Sequence, residues 1–273
     1  MNSKSLELLA YARQTVNDLS THKVLQPFWN ELCVILKGST SRGNADEYSD
    51  IDLVIFCAVD VHAQIVAGYF ADKLCDRQDG FFIFIPNGHY HIESFDQLRG
   101  YFLGHDYLHC WDYQNAIPLH DPHGTYAALI QEGKQMLFAS PLPILKRAFL
   151  DLQLDLNWMR MPITRSDGPS TLLHMAKILA GVSRMAYLLD SLPYPPDKWL
   201  FAFLDTTEFG QAHGQAVQDY FLGCAGVLTL SRGEPFEEYP LYRQAGQLLL
   251  AIAEHIRGKF GDQPWLVRWY DYV

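Results

Sequence analysis

The 273-residue chain predicts an α+β protein in two parts, a mixed β-sheet flanked by helices over 1–140 and an α-helical bundle over 141–273. Three observations carry this. Apolar runs of strand length alternate with helical stripes through the first half. Acidic Asp50 and Asp52 alternate with apolar Ile51 and Leu53, the pattern of a strand with two different faces. Past Ser140-Pro141-Leu142-Pro143 the strand signals stop and only helical patterns follow, which separates a sheet-based layer from a bundle.

The elements follow in order. Leu6, Leu8, Leu9, Ala12 and Val16 form a helical stripe over 5–19 that should pack on the sheet. Residues 32–36 read as a buried strand, 40–43 as a short helix and 50–56 as the next strand. A helix over 61–75 crosses back with Ile65, Val66, Tyr69, Phe70 and Leu74 as its apolar positions. Phe81-Phe82-Ile83-Phe84-Ile85 is a short, fully apolar strand, and Pro86-Asn87-Gly88 is a hairpin turn into a partner strand over 89–95. Ser94-Phe95-Asp96-Gln97 has the form of a capping box opening a helix at Gln97. Residues 113–121 read as a strand end and turn, with Asp121-Pro122 as architecture. In the second half, helices are expected over 144–158, 170–189, 199–204, 211–222 and 241–260, and no internal repeat or low-complexity tract occurs.

Residues 35–56 hold the chemistry. Gly38-Ser39 is a small-residue turn whose backbone N–H groups suit phosphate, and Arg42 would add charge there. Asp50 and Asp52 face one small volume. Like charges about 4 Å apart repel by about 4 kcal/mol at an effective dielectric of about 20, so the pair needs a cation or a proton. Hard oxygen ligands suit Mg²⁺, which keeps several waters and sits between carboxylates and substrate phosphates.

An apolar strand, Gly38-Ser39, a spacer, then Asp50-x-Asp52 and the run Leu53-Val54-Ile55-Phe56 resembles the signature of the DNA polymerase beta-like nucleotidyltransferase superfamily. The form Gly-Ser-Thr-Ser-Arg-Gly looks most like the antibiotic-modifying branch, the kanamycin, streptomycin and lincosamide nucleotidyltransferases. The resemblance implies a catalytic domain over 1–140 and a helical acceptor-binding domain over 141–273. It also implies a third carboxylate on the strand after the hairpin, completing the metal site or taking the acceptor's proton. Glu93 matches that position, with Asp96 as a competitor tied to the capping box. Lys177 is the residue that would reach the triphosphate from the helical half, and a homodimer is implied by resemblance alone. Tyr194-Pro195-Pro196-Asp197-Lys198-Trp199-Leu200 resembles a Pro–Lys–Trp segment of helical domains appended to small-molecule nucleotidyltransferases, and reads equally as a proline turn ahead of an inward-packed Trp. Asp151 and Asp155, on one helical face, read as an acceptor contact, a base, or a solvated pair.

Composition narrows the function. A formal charge of −10 argues against a surface that tracks nucleic acid and suits a cationic acceptor. No apolar run approaching a bilayer span is read, and the start leads into an amphipathic segment, so a cytoplasmic protein with no membrane partner is expected. Cys33, Cys57, Cys75, Cys110 and Cys224 lack C-x-x-C pairing and read as reduced, mostly buried thiols. His105 and His109 have helical ligand spacing without the zinc-protease Glu, while His89 and His91 read as surface or site-lining groups and not as transition-metal ligands. The expected activity is Mg²⁺-dependent transfer of a nucleoside monophosphate from an NTP, ATP by preference, to a hydroxyl of a small molecule such as an antibiotic. The alternatives are a protein-directed nucleotidyltransferase of toxin–antitoxin type and a non-catalytic nucleotide-binding module.

Overall fold

The computed structural model describes residues 1–72, 74, 83–224, 227 and 235–273. It divides into two compact units, Met1–Ala139 and Ser140–Val273.

The first unit runs α1 (Ser3–Leu19), β1 (Cys33–Lys37), α2 (Gly38–Arg42), β2 (Ile51–Cys57), α3 (Val59–Ala71), β3 (Ile83–Ile85), β4 (Gly88–Ser94), α4 (Phe95–Leu103), α5 (Tyr107–Gln114), β5 (Ile117–His120) and α6 (Thr125–Leu137). The five strands form one mixed sheet in the order β3-β4-β2-β1-β5. β2 and β4 are parallel, and the other neighbours are antiparallel. Both faces of the central strands are covered, which explains why β1 and β2 read as nearly unbroken apolar runs. Leu36, Leu53, Ile55 and Ile92 pack with Leu8, Ala12 and Val16 of α1 and with Ile65 and Tyr69 of α3. Ile35, Val54 and Phe56 face Leu98 and Phe102 of α4, Tyr113 of α5 and Leu129 of α6.

The local signals found their places. Asn2 caps α1 by accepting from the Ser5 N–H. The capping box at Ser94 and Gln97 is formed in both directions. β3 and β4 make the hairpin, with Asn87 at φ 61° in its turn. Phe81 and Phe82 of the expected strand, and Cys75 of the expected helix, lie outside the described residues.

Some expectations needed correction. Leu6 of the α1 stripe is exposed. Phe84 is 83% exposed, because β3 is an edge strand with only half-buried Ile83 and Ile85 facing the core. Tyr113 is helical and not the start of a strand. Asp106 caps α5 at the His109 N–H, and burial of Cys110, Trp111 and Tyr113 holds that short helix in place. His105 sits before α5 at φ 52°, off any helix, and His109 is bonded to Asp106 and stacked on Tyr101. Cys33, Cys57 and Cys110 are buried and Cys224 half-buried, all as free thiols. Burial pushes the Cys57 and Cys110 thiols up to about 12, so they are inert at neutral pH.

The second unit is helical: α7 (Pro141–Trp158), α8 (Arg160–Thr164), α9 (Gly168–Leu189), α10 (Asp197–Leu200), α11 (Glu208–Gly223) and α12 (Pro240–Phe260). α9 is its axis and packs on α7, α11 and α12. Contrary to the sequence reading, α9 is long and apolar enough to cross a membrane by length and composition alone. Over half of that stretch is buried inside the unit, including Met175, Ile178, Val182 and Met185, so three helical neighbours account for its composition. The helix expected over 199–204 is instead the single turn α10 followed by a 3₁₀ turn at Leu204–Thr206.

Two glycines of the α4–α6 packing test this account. A Cβ at Gly133 would sit 2.5 Å from the Phe102 ring, whereas one at Gly100 of α4 would meet nothing within 4 Å. Gly133→Val should lower stability in urea unfolding by about 1–3 kcal/mol through overpacking. Gly100→Ala should raise it by about 0.5–1 kcal/mol by removing backbone entropy of the unfolded chain.

Candidate active site

The site builds from the end of β1. Lys37 is the Cα partner of Asp52 across the β1–β2 ladder, so the turn that follows Lys37 is carried directly to the Asp52 side chain. Gly38 has φ +80°, and a Cβ there would lie 2.9 Å from Asp52 Oδ2. Only glycine meets both demands, and its missing Cβ leaves the space beside that carboxylate oxygen open.

The spacer is tied to the turn by hydroxyls. Ser39 Oγ donates to Ser49 Oγ at 3.0 Å, and Thr40 Oγ1 donates to the Asp50 carbonyl at 3.1 Å. Ser41 Oγ returns to the Gly38 carbonyl, and Gly43 closes α2 in the left-handed conformation. Short polar residues with small turns were legible in the sequence as a loop. Here they serve to hold Gly38 and Asp50 in one register.

Asp50 and Asp52 stand at the mouth of β2, 56% and 29% exposed. Their companion is an imidazole. β4 runs parallel to β2 with His89 paired to Asp52. His89 Nε2 is 2.6 Å from Asp52 Oδ1, and Nδ1 is 3.8 Å from Asp50 Oδ2. The sequence reading left His89 as a site-lining group, and nothing local distinguishes it; the parallel register is what sets it against the acids.

Glu93 is elsewhere on the same strand. It pairs with Phe56, four positions beyond Asp52 on β2. At about 3.3 Å per residue that offset is about 13 Å along parallel strands. By Cα register Glu93 therefore stands apart from the end of the strands that carries Asp50 and Asp52. Its carboxylate is 12% exposed and accepts hydrogen bonds from His91 Nε2 at 3.0 Å and Tyr113 Oη at 2.9 Å. Burial works to raise the Glu93 carboxyl. The His91 bond and charge, the Tyr113 bond and the Lys37 charge outweigh it, so the group lies below the usual carboxylate range. Burial and the same Glu93 charge push the Tyr101 hydroxyl up to about 12. Asp96, the competitor, lies in the first turn of α4 and pairs with Arg99.

Arg42 is packed. Its guanidinium is 6% exposed, bonds Asp112 at 3.1 Å and lies 4.6 Å over the Trp111 ring. Lys37 is the cation that the sequence reading passed over. Its ammonium is 4.0 Å from Asp112 and 5.8 Å from the Tyr113 ring centre. In the helical unit Lys177 lies 3.6 Å from Asp155, which also bonds His174 at 3.0 Å, while Asp151 pairs with Arg147. Asp190, Glu208 and His255 are the three metal-type ligands that converge among the described residues. Lys259 bonds both of those carboxylates, at 2.7 and 2.8 Å, so the cluster is a salt bridge.

The mouth of β2 thus presents two carboxylates of hard oxygen, one of them paired with His89, beside a glycine turn. Residues 22–121 match the family model described as Nucleotidyltransferase domain, which covers β1 through β5 and every residue of this site. That segment is similar to the nucleotidyltransferase domain family. Among solved structures the chain is similar to a nucleotidyltransferase-like protein from Exiguobacterium sibiricum, at 11% identity and a TM-score of 0.46 over 91% of this chain and 75% of that one. It is similar also to a CCA-adding enzyme in complex with CTP, at 18% identity and a TM-score of 0.22 over 90% of this chain and 71% of that one. At these scores neither likeness bears on the fold or the chemistry. No curated protein matches the chain.

The Glu93 network has a pH signature. A carboxyl whose folded value is depressed below the ordinary 4.5 adds stability above that pH and loses it as pH falls through the folded value. Acid titration of the unfolding free energy should show wild type above Glu93→Gln at neutral pH, with the gap closing below pH 4.5. A gap that widened toward acid would reverse the sign assigned to Glu93.

Proposed function

We propose that the chain transfers a nucleoside monophosphate from a nucleoside triphosphate, ATP in this reading, to a hydroxyl of a small molecule. One observation carries the proposal: the Gly38 turn packs directly against the Asp52 carboxylate, so a small-residue turn and two acids share one end of the sheet. The family match over 22–121 supports the same class.

Asp50 and Asp52 would hold Mg²⁺, which when bound supplies neutralisation of charge on the triphosphate. Ser39 and the first-turn N–H groups of α2 orient the phosphates, since those amides have no acceptor within the helix. Lys37, paired with Asp52 across the ladder, adds a cation at the same edge. Arg42 holds α5 to the turn through Asp112 and Trp111, and so keeps the phosphate turn in place. Glu93, kept ionised by His91 and Tyr113, receives the acceptor's proton through that hydrogen-bonded pair. The helical unit offers a mostly apolar groove of about 480 Å³ between α7 and α12, lined by Phe149, Leu156, Tyr242 and Leu250. Its size is that of a small-molecule pocket, and the net charge of −10 favours a cationic acceptor such as an aminoglycoside. Lys177 as a triphosphate contact stays part of this proposal.

A second reading, nucleotide binding without turnover, draws on the His89 contact, because a ring bonded to Asp52 gives the acids a counter-charge of their own. Incubation with labelled nucleoside triphosphates, Mg²⁺ and a panel of aminoglycosides and lincosamides separates the classes. Label on a small molecule is expected. Label on protein would favour a protein-directed enzyme, and binding without pyrophosphate release would favour the second reading. In the same assay Asp52→Asn should reduce transfer by on the order of 10³-fold, the scale of losing a charge-stabilising group at a reacting centre. Wild-type turnover in that variant would remove the assigned site.

A further inference from the structure

The sheet face that carries Asp52 ends, at its open edge, in an aromatic ring. Four neighbouring strands set Lys37, Asp52, His89 and Phe84 in one row: Lys37 pairs with Asp52, Asp52 with His89, and His89 with Phe84. Partners directly across a ladder point to the same side of a sheet. Ile83 and Ile85, which alternate with Phe84, pack with the core on the opposite side. Val54 and Phe56, two and four residues past Asp52, show that the row lies on the side covered by α4, α5 and α6. At β3 that cover stops. Phe84 is 83% exposed, and its ring centre is 6.3 Å from that of His89.

We propose that Phe84 is the platform on which the base of the nucleoside triphosphate stacks. The inference rests on the reading of this site as a nucleotide site and adds to it the part that holds the base. Its first support is order. The Gly38 turn follows Lys37 on β1, Asp52 is one strand further, His89 is on the next and Phe84 is on the last. A nucleotide laid across the strands has the same sequence of parts: outer phosphates, α-phosphate, ribose and base. The second support is reach. Adjacent strands lie about 4.8 Å apart, so the Phe84 backbone is about 10 Å from that of Asp52, with the width of β4 between them for the ribose. The third is chemistry. The Phe84 ring takes no part in the core, whereas every base has a π-face that stacks on such a ring. Phenylalanine also has no polar atom with which to read a base edge, so this platform accepts purines without choosing between them.

The test separates base from phosphates. Calorimetric titration of the full chain in Mg²⁺, with α,β-methylene ATP, its guanine counterpart and inorganic tripolyphosphate, reads each contribution. Wild type should bind the two nucleotide analogues within a few-fold of each other and at least tenfold more tightly than tripolyphosphate. Phe84→Ala should lose about tenfold toward both analogues and leave tripolyphosphate unchanged. Phe84→Trp should keep wild-type affinity or exceed it, while Phe84→Leu, apolar without a ring, should fall with Phe84→Ala. Wild-type affinity in Phe84→Ala would overturn the inference. Equal losses toward the analogues and tripolyphosphate would overturn it too, since they report a disturbed phosphate site and not a lost stack. If wild type binds all three ligands and Phe84→Ala matches it, only the Phe84 role fails. If wild type binds none of them, the nucleotide reading of the site fails as well.

Discussion

Two carboxylates at the entry of one strand, Asp50 and Asp52, repel one another, and this electrostatic demand bears on everything placed around β2. The strand is central and covered on both faces, so the repulsion cannot be relieved by moving it. Relief has to come from what the neighbouring strands deliver. β4 brings His89 into the register of Asp52 and bonds it at 2.6 Å, while Lys37 of β1, in the same register, sends its ammonium to Asp112. The α2 turn then leaves open the oxygen edge that neither covers.

The same sheet face carries a second charge system. Glu93, His91, Tyr113 and half-buried Tyr101 form a group in which the carboxylate is stabilised by hydrogen bonds from His91 and Tyr113 and by the charges of His91 and Lys37. Its burial alone would favour the neutral acid, and the bonds decide otherwise. Keeping this group and the Asp pair about 13 Å apart along the strands lets each be neutralised by its own partners.

Much of the fold could be read from local pattern. The α1 stripe, the hairpin at Asn87, the capping box at Ser94 and the change to helices at Ser140 each depend on residues within a few positions of one another. Where the reading failed, contacts distant in sequence had overridden propensity. Tyr113 is helical because α5 buries it against Phe56, and the α9 composition follows from three helical neighbours. For the site, the Gly38 and Asp52 pair lies side by side, as its spacing on a strand, turn and strand implies. Lys37 has no role in the sequence signature, and His89 reads there as a surface or site-lining group. Neither carries a local mark, since a lysine at a strand end and a histidine on a strand are ordinary surface choices.

The sequence alone determined which residues alternate, which turns need glycine and where the strands stop, because those follow from backbone geometry over a few residues. Only the tertiary structure decided that an imidazole, and not the carboxylate of Glu93, stands across from Asp52. The pairing of β2 with β4 joins segments with a helix and a hairpin between them, and its register is set by the fit of two buried faces that no local pattern records.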